Sequence, residues 1–262
     1  MNASPQPRPA ESEARLPIEL HLERDDLVVW RHRGTSGRLA LSFSGIGPKD
    51  GTMPPIEFAR IATAGGLHNA LFIIDPKRTW LNGDGLIERI ADIVRAFAEN
   101  VGAEETVALG HSMGGFAAIV MSGFIPMKSA VAFSPQVSVH PDIAGDDPRW
   151  MYFRRHITRH RLGSAADHMV PETAYHVFHG ANVAERPQRD RFPVAANLSH
   201  LVLPRITHQV PQKLKEVRLL GKVVRAALNN RARIVRETLK PLGAHRRTLD
   251  TYPILPPSAE CA

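Results

Sequence analysis

Short apolar runs alternate with helical stretches along most of this chain. Seven runs read as strands: Asp26 to Arg31 (DLVVWR), Leu39 to Ser44 (LALSFS), Ala70 to Ile74 (ALFII), Thr106 to Leu109 (TVAL), Ala130 to Ser134 (AVAFS), Tyr175 to Phe178 (YHVF) and His200 to Leu203 (HLVL). Several are apolar at both alternations, the pattern of strands covered on both faces of a parallel sheet. Between ALFII and TVAL, Leu86, Ile90, Ile93, Val94 and Phe97 recur at helical spacing, with Asp84 placed to cap the start and Gly102 marking the end. A second helix follows Gly110 directly. A third is predicted from about Gln212 to Leu228, with Leu214, Val217, Val224 and Leu228 as one apolar stripe. Strands alternating with helices predict an α/β fold with a doubly wound, mainly parallel sheet. From Pro141 to Pro171 the strand pattern stops, leaving a polar and basic insertion. The expected organisation is an N-terminal tail over residues 1–15, a domain over 16–230 carrying a short cap-like insertion at about 141–171, and a C-terminal arm over 231–262.

Composition narrows the class. With 262 residues the chain can bury a core without staples. Hydrophobic residues at 43% and charged ones at 23% exclude a disordered, collagen-like or coiled-coil chain. The first seventeen residues hold four prolines and no apolar run, so no secretory signal is read. The most apolar stretches, Ala70 to Ile74 and Phe116 to Met121, fall far short of the roughly 20 residues a membrane helix needs. A cytoplasmic location is expected. The single cysteine, Cys261, excludes an internal disulfide and is no candidate nucleophile. The net charge of +7 is unevenly placed: Pro211 to Arg247 carries eleven basic residues against Glu216 and Glu237, so the remainder is slightly acidic.

Residues Gly110-His111-Ser112-Met113-Gly114-Gly115 match G-x-S-x-G, the turn that lifts a serine above a strand end and straight into a helix. The context fits, since TVAL precedes the turn as a buried strand and MGGFAAIVM follows as a helix with small residues at its start. Glycines are needed there because a serine in a strained backbone conformation requires neighbours without Cβ atoms. No G-x-G-x-x-G follows the first strand, which disfavours a dinucleotide-binding fold.

On these residues the chain resembles the α/β-hydrolase superfamily, from about Leu39 to Leu228. The resemblance implies an α/β-hydrolase fold and a serine, acid, histidine order along the chain. Ser112 is then the nucleophile and His208, in the loop after HLVL, the base. The acid belongs to the loop after YHVF, which offers Glu185 and Asp190. Asp190 is the choice, because aspartate is the commoner acid in the family, and Glu185 is the alternative. The oxyanion donors implied are the backbone N–H of Met113 and that of Ile46, with Gly45 allowing the turn. His111 and Trp80 are candidates for substrate contact, Trp80 equally for buried core. The insertion carries Arg149, Arg154, Arg155, Arg159 and Arg161, read either as a solvated face or as a cap recognising an anionic group. HITRH (His156 to His160) lacks the glutamate of H-E-x-x-H, and no metal or cofactor is called for. FSPQ (Phe133 to Gln136) and RTWLNG also resemble bacterial hydrolase-like proteins of polysaccharide assembly, although an aromatic content of 6% offers few sugar-stacking platforms.

The function expected is cleavage of a small-molecule ester or thioester by a Ser-Asp-His serine hydrolase through an acyl-enzyme; acyl transfer uses the same residues. The alternative is a binding protein in which the hydrolase fold is a scaffold and the basic arm docks on an anionic partner. Nucleic acid is disfavoured as that partner, because no helix-turn-helix, zinc-finger or RNA-binding signature is present.

Overall fold

In a computed structural model, which describes residues 16–47 and 52–258, nine strands form one sheet. The strands are β1 (Glu19–Arg24), β2 (Leu27–His32), β3 (Arg38–Phe43), β4 (Asn69–Ile74), β5 (Glu105–His111), β6 (Ser129–Phe133), β7 (Ala174–Gly180), β8 (Leu198–Leu203) and β9 (His245–Arg246). Their order across the sheet is β1-β2-β4-β3-β5-β6-β7-β8-β9. From β4 to β8 every pairing is parallel, while β1, β2 and β9 join antiparallel. The helices are α1 (Ala59–Ala62), α2 (Leu86–Asn100), α3 (Met113–Val120), α4 (Pro141–Ala144), α5 (Met151–Arg154), α6 (Arg186–Arg189), α7 (Val210–Glu216), α8 (Leu220–Leu228) and α9 (Ala232–Leu239).

Both sheet faces are covered, which is why the central strands are apolar at successive positions. On one face α2 and α3 pack Leu86, Ile90, Val94, Phe97, Phe116 and Ile119 against β3, β4 and β5. On the other, α7, α8 and α9 pack Leu214, Val223, Val224, Val235 and Leu239. Between β6 and β7 the chain carries the short helices α4 and α5.

Three expectations are corrected. Asp84 does not cap α2: Gly85 holds that position at φ 64, while the Asp84 carbonyl accepts from Arg89 and its carboxylate pairs with Arg161. The helix predicted over Gln212 to Leu228 is two helices. Arg218 breaks it in the left-handed region at φ 57, and the Leu219 N–H turns back to the Leu214 carbonyl at 2.8 Å, a Schellman ending with arginine where glycine is usual. Val217 therefore leaves the apolar stripe and is exposed. Nor do the residues after Asn230 form a separate arm. Val235 and Leu239 are buried, β9 extends the sheet, and the buried Arg247 donates to the carbonyls of Phe192 and Asp190. The tail over residues 1–15 and Cys261 lie outside the described residues. Among the described residues no helix is long and apolar enough to cross a membrane.

Candidate active site

Ser112 sits between β5 and α3 at φ 56 and ψ −121, a conformation that costs a side chain strain. The surrounding glycines make the turn sterically feasible. A Cβ at Gly110 would lie 2.2 Å from the Gly114 carbonyl, and one at Gly114 would lie 2.1 Å from the Phe43 oxygen. The Ser112 N–H bonds to the Phe133 carbonyl at 2.8 Å, tying the turn to β6.

Gln136 reaches Ser112 from the loop after β6. Its Nε2 donates to Ser112 Oγ at 3.1 Å, and its Oε1 accepts from Trp80 Nε1 at 3.0 Å. An indole N–H can only donate, so Trp80 fixes which end of the amide faces the serine. The serine oxygen then accepts from Gln136 and keeps its own proton to donate. Trp80 is fully buried and does not line the pocket, so its expected substrate contact is corrected to an orienting one.

His208 and Ser112 line one cavity of about 250 Å³, with Gly45, Ile46, Glu57, His111 and Trp150 also in its wall. The His208 Nδ1 lies 3.1 Å from Glu185 Oε1. The carboxylate only accepts, so Nδ1 carries the proton and Nε2 has its lone pair free. That Nε2 is buried with no hydrogen-bond partner among the described residues. The imidazole is clasped between His111 and Trp150, with ring centroids 4.9 and 4.8 Å away. His111 Nε2 also donates to the His208 carbonyl at 3.0 Å. Burial pushes the His111 pKa down to about 4, so this ring is neutral.

Glu185, not Asp190, meets the histidine. It ends a short turn after β7 and is buried beside Arg149 from the insertion, which also grips the fully buried Asp147. Burial resists its ionisation, but the His208 hydrogen bond and the Arg149 charge are among the effects that outweigh that and hold the pKa at about 2. Asp190 lies beyond α6 and is claimed elsewhere. Its oxygens accept from Arg189 Nε at 2.7 Å and Nη2 at 3.0 Å, and its carbonyl holds Arg247 and the Leu255 N–H.

Gly45, Ile46 and Gly47 border the same cavity as the histidine. The Ile46 carbonyl accepts from Arg78 Nε at 3.0 Å, which orients the loop, while the Gly45 N–H donates to Glu57 Oε2 at 3.3 Å. Burial pushes the Glu57 pKa up to about 7, against the lowering effect of that N–H. Met113 opens α3, with its side chain in the core. Four residues of this site were not singled out as site residues from the sequence: Glu57, Gln136, Arg149 and Trp150. Two had a signal, Arg149 as one of the insertion's arginines and Gln136 as the last residue of the FSPQ stretch.

No family model matches the chain, and no curated protein matches it in sequence. Solved structures do. The capsule O-acetyltransferase of Neisseria meningitidis serogroup A aligns with a TM-score of 0.55 at 12% identity, over 79% of this chain and 93% of that one. An esterase from Pyrococcus furiosus aligns with a TM-score of 0.53 at 16% identity, over 91% and 97%. Est1E from Butyrivibrio proteoclasticus does so with a TM-score of 0.53 at 14% identity, over 81% and 99%. By its nine-stranded, mainly parallel sheet and these neighbours, the chain has the α/β-hydrolase fold.

Proposed function

We propose that this protein is a serine hydrolase or acyltransferase that takes the acyl group of a carboxylic ester or thioester onto Ser112. The observation that carries the reading is the His208–Glu185 pair, whose free Nε2 shares one cavity with the strained serine. In the first step His208 Nε2 accepts the Ser112 proton as Oγ attacks the carbonyl carbon. Glu185 holds the Nδ1 proton and stabilises the imidazolium that forms. The negative charge on the former carbonyl oxygen is met by the N–H groups of Ile46 and Met113. Ile46 is preferred over Gly45 because the Gly45 N–H is engaged by Glu57. The C–O or C–S bond then breaks, and His208 hands its proton to the departing oxygen or sulfur. Water, or an acceptor hydroxyl, reverses these roles to release the acyl group.

A cavity of about 250 Å³, shared with several side chains, suits a short acyl group. Fold neighbours that are esterases and an O-acetyltransferase support ester chemistry in general and leave the choice between water and alcohol to experiment. The test is a fluorophosphonate probe together with p-nitrophenyl acetate. Ser112→Ala should abolish both labelling and turnover; equal labelling in that variant removes the assignment. Product analysis with an added alcohol separates transfer from hydrolysis.

A further inference from the structure

Beside the catalytic cavity opens a groove of about 880 Å³, and the two share Glu57, His111 and Gln209 in their walls. Its volume is that of a site for a ligand of several hundred daltons, far more than a short acyl group requires. The floor is apolar, with Phe58, Ile61 and Leu220. The lining is cationic, with Arg60 from α1, Lys215 from α7, Arg218 from the turn between α7 and α8, and Arg225 from α8, and among the described residues Glu57 is its single carboxylate. Lys215, Arg218 and Arg225 are exposed and have no ion pair among the described residues, and the neighbouring Glu216 is held by Lys213 at 3.3 Å.

We propose that this groove receives the phosphate-bearing leaving group of an acyl thioester, resting on the reading of Ser112 as the acyl acceptor. Several cations around one groove ask for a ligand with more than one negative charge, and phosphates meet Arg and Lys as strong charge-assisted acceptors. Between groove and nucleophile the ligand passes an acid and two polar side chains, which suits a slender, uncharged arm ending in a thiol. An acidic glycan fits less well: among the described residues Phe58 is the only Phe, Tyr or Trp in the lining, and it is stacked on Phe133 with centroids 5.9 Å apart. In the reaction the Ser112 Oγ–C bond forms and the C–S bond breaks. The serine proton travels through His208 to the thiol, which leaves with its phosphates still in the groove.

Acetyl-CoA and S-acetyl-N-acetylcysteamine present the same acyl group with and without phosphates. The wild type should favour acetyl-CoA. The triple variant Lys215→Ala, Arg218→Gly, Arg225→Ala should lose about tenfold or more in kcat/KM on acetyl-CoA, mostly through KM, and far less on the cysteamine thioester. Added salt should erode the wild-type preference. Lys222→Ala, on α8 but outside the lining, is the control and should change neither substrate. Equal losses on both thioesters, or no preference in the wild type, overturn the proposal. So does competition against p-nitrophenyl acetate by an acidic oligosaccharide and not by free CoA, which would give the groove to an acceptor. If the serine fails to label, the catalytic reading has failed instead. Calorimetric binding of free CoA to wild type and triple variant then still decides the groove, which must bind and weaken respectively.

Discussion

Two carboxylates five residues apart have opposite surroundings. Glu185 faces His208 and Arg149, whereas Asp190 faces Arg189 and fastens the C-terminal segment. Glu185→Gln should therefore lower kcat by about two to four orders of magnitude, because the imidazole loses its orienting and stabilising partner. Asp190→Asn should leave kcat per folded molecule nearly intact and instead destabilise by about 3 kcal/mol, since it strands a buried guanidinium. Steady-state kinetics and urea melts on both variants check this ranking. A family preference for aspartate pointed to Asp190; the contact that decides the matter depends on how the turn after β7 folds, which residue order alone does not encode. Glu57 has its own consequence. With its pKa raised to about 7 it is neutral below that pH and anionic above, and the anion sits on the Gly45 N–H beside the expected oxyanion. Turnover should fall as pH rises through about 7 by this group, and Glu57→Gln should remove that alkaline descent from the kcat/KM profile. A descent unchanged in Glu57→Gln would assign it to another group.

At the scale of elements, legibility followed burial. All seven strands predicted from apolar runs are present, because each is short and covered on both faces. The two missed strands have no such pattern: β1 reads ELHLER and is mostly exposed, and β9 is two residues long. Helix ends were less legible where the residue at the turn was atypical. Gly102 marked the end of α2 correctly, at φ 61, but nothing in Glu216-Val217-Arg218-Leu219 signals a break. Packing of Leu214 and Leu220 on the sheet imposes it, and Arg218 carries the left-handed conformation that results. Arg218→Gly should relieve that cost and stabilise the fold by up to about 1 kcal/mol, read as a higher urea midpoint at constant slope. A destabilised variant would mean that the arginine side chain contributes more than its backbone costs. What the segment between β6 and β7 does was not legible in the sequence. Arg149 and Trp150 come from it to flank Glu185 and His208, and Arg154 is used internally on the carbonyls of Asp147 and Ala144.

Across the whole molecule, the basic C-terminal segment changes meaning. Charge counting made it a detachable arm, because after Asn230 six lysines and arginines stand against three acids and a short amphipathic helix shows little else in sequence. The structure puts Val235 and Leu239 into the layer that covers one sheet face, adds β9 to β8, and threads the buried Arg247 onto the carbonyls of Phe192 and Asp190. That last contact lies in the same loop that delivers Glu185. Deleting everything after Asn230 should thus cost well over the ~4 kcal/mol expected from burying Val235 and Leu239 alone, given the lost edge pairing. A chain of ordinary stability, about 5–15 kcal/mol, would be left marginal. The expected outcome is a thermal midpoint lowered by ten degrees or more, with p-nitrophenyl acetate turnover disappearing as the protein unfolds. Val235→Ala, a gentler change at the same interface, should lower the midpoint by a few degrees and keep turnover per folded molecule. A truncated protein that melts like the full chain and turns over ester at the same rate would show that the segment after Asn230 is dispensable to the fold, and that the layer it forms supports neither the sheet nor the Glu185 loop.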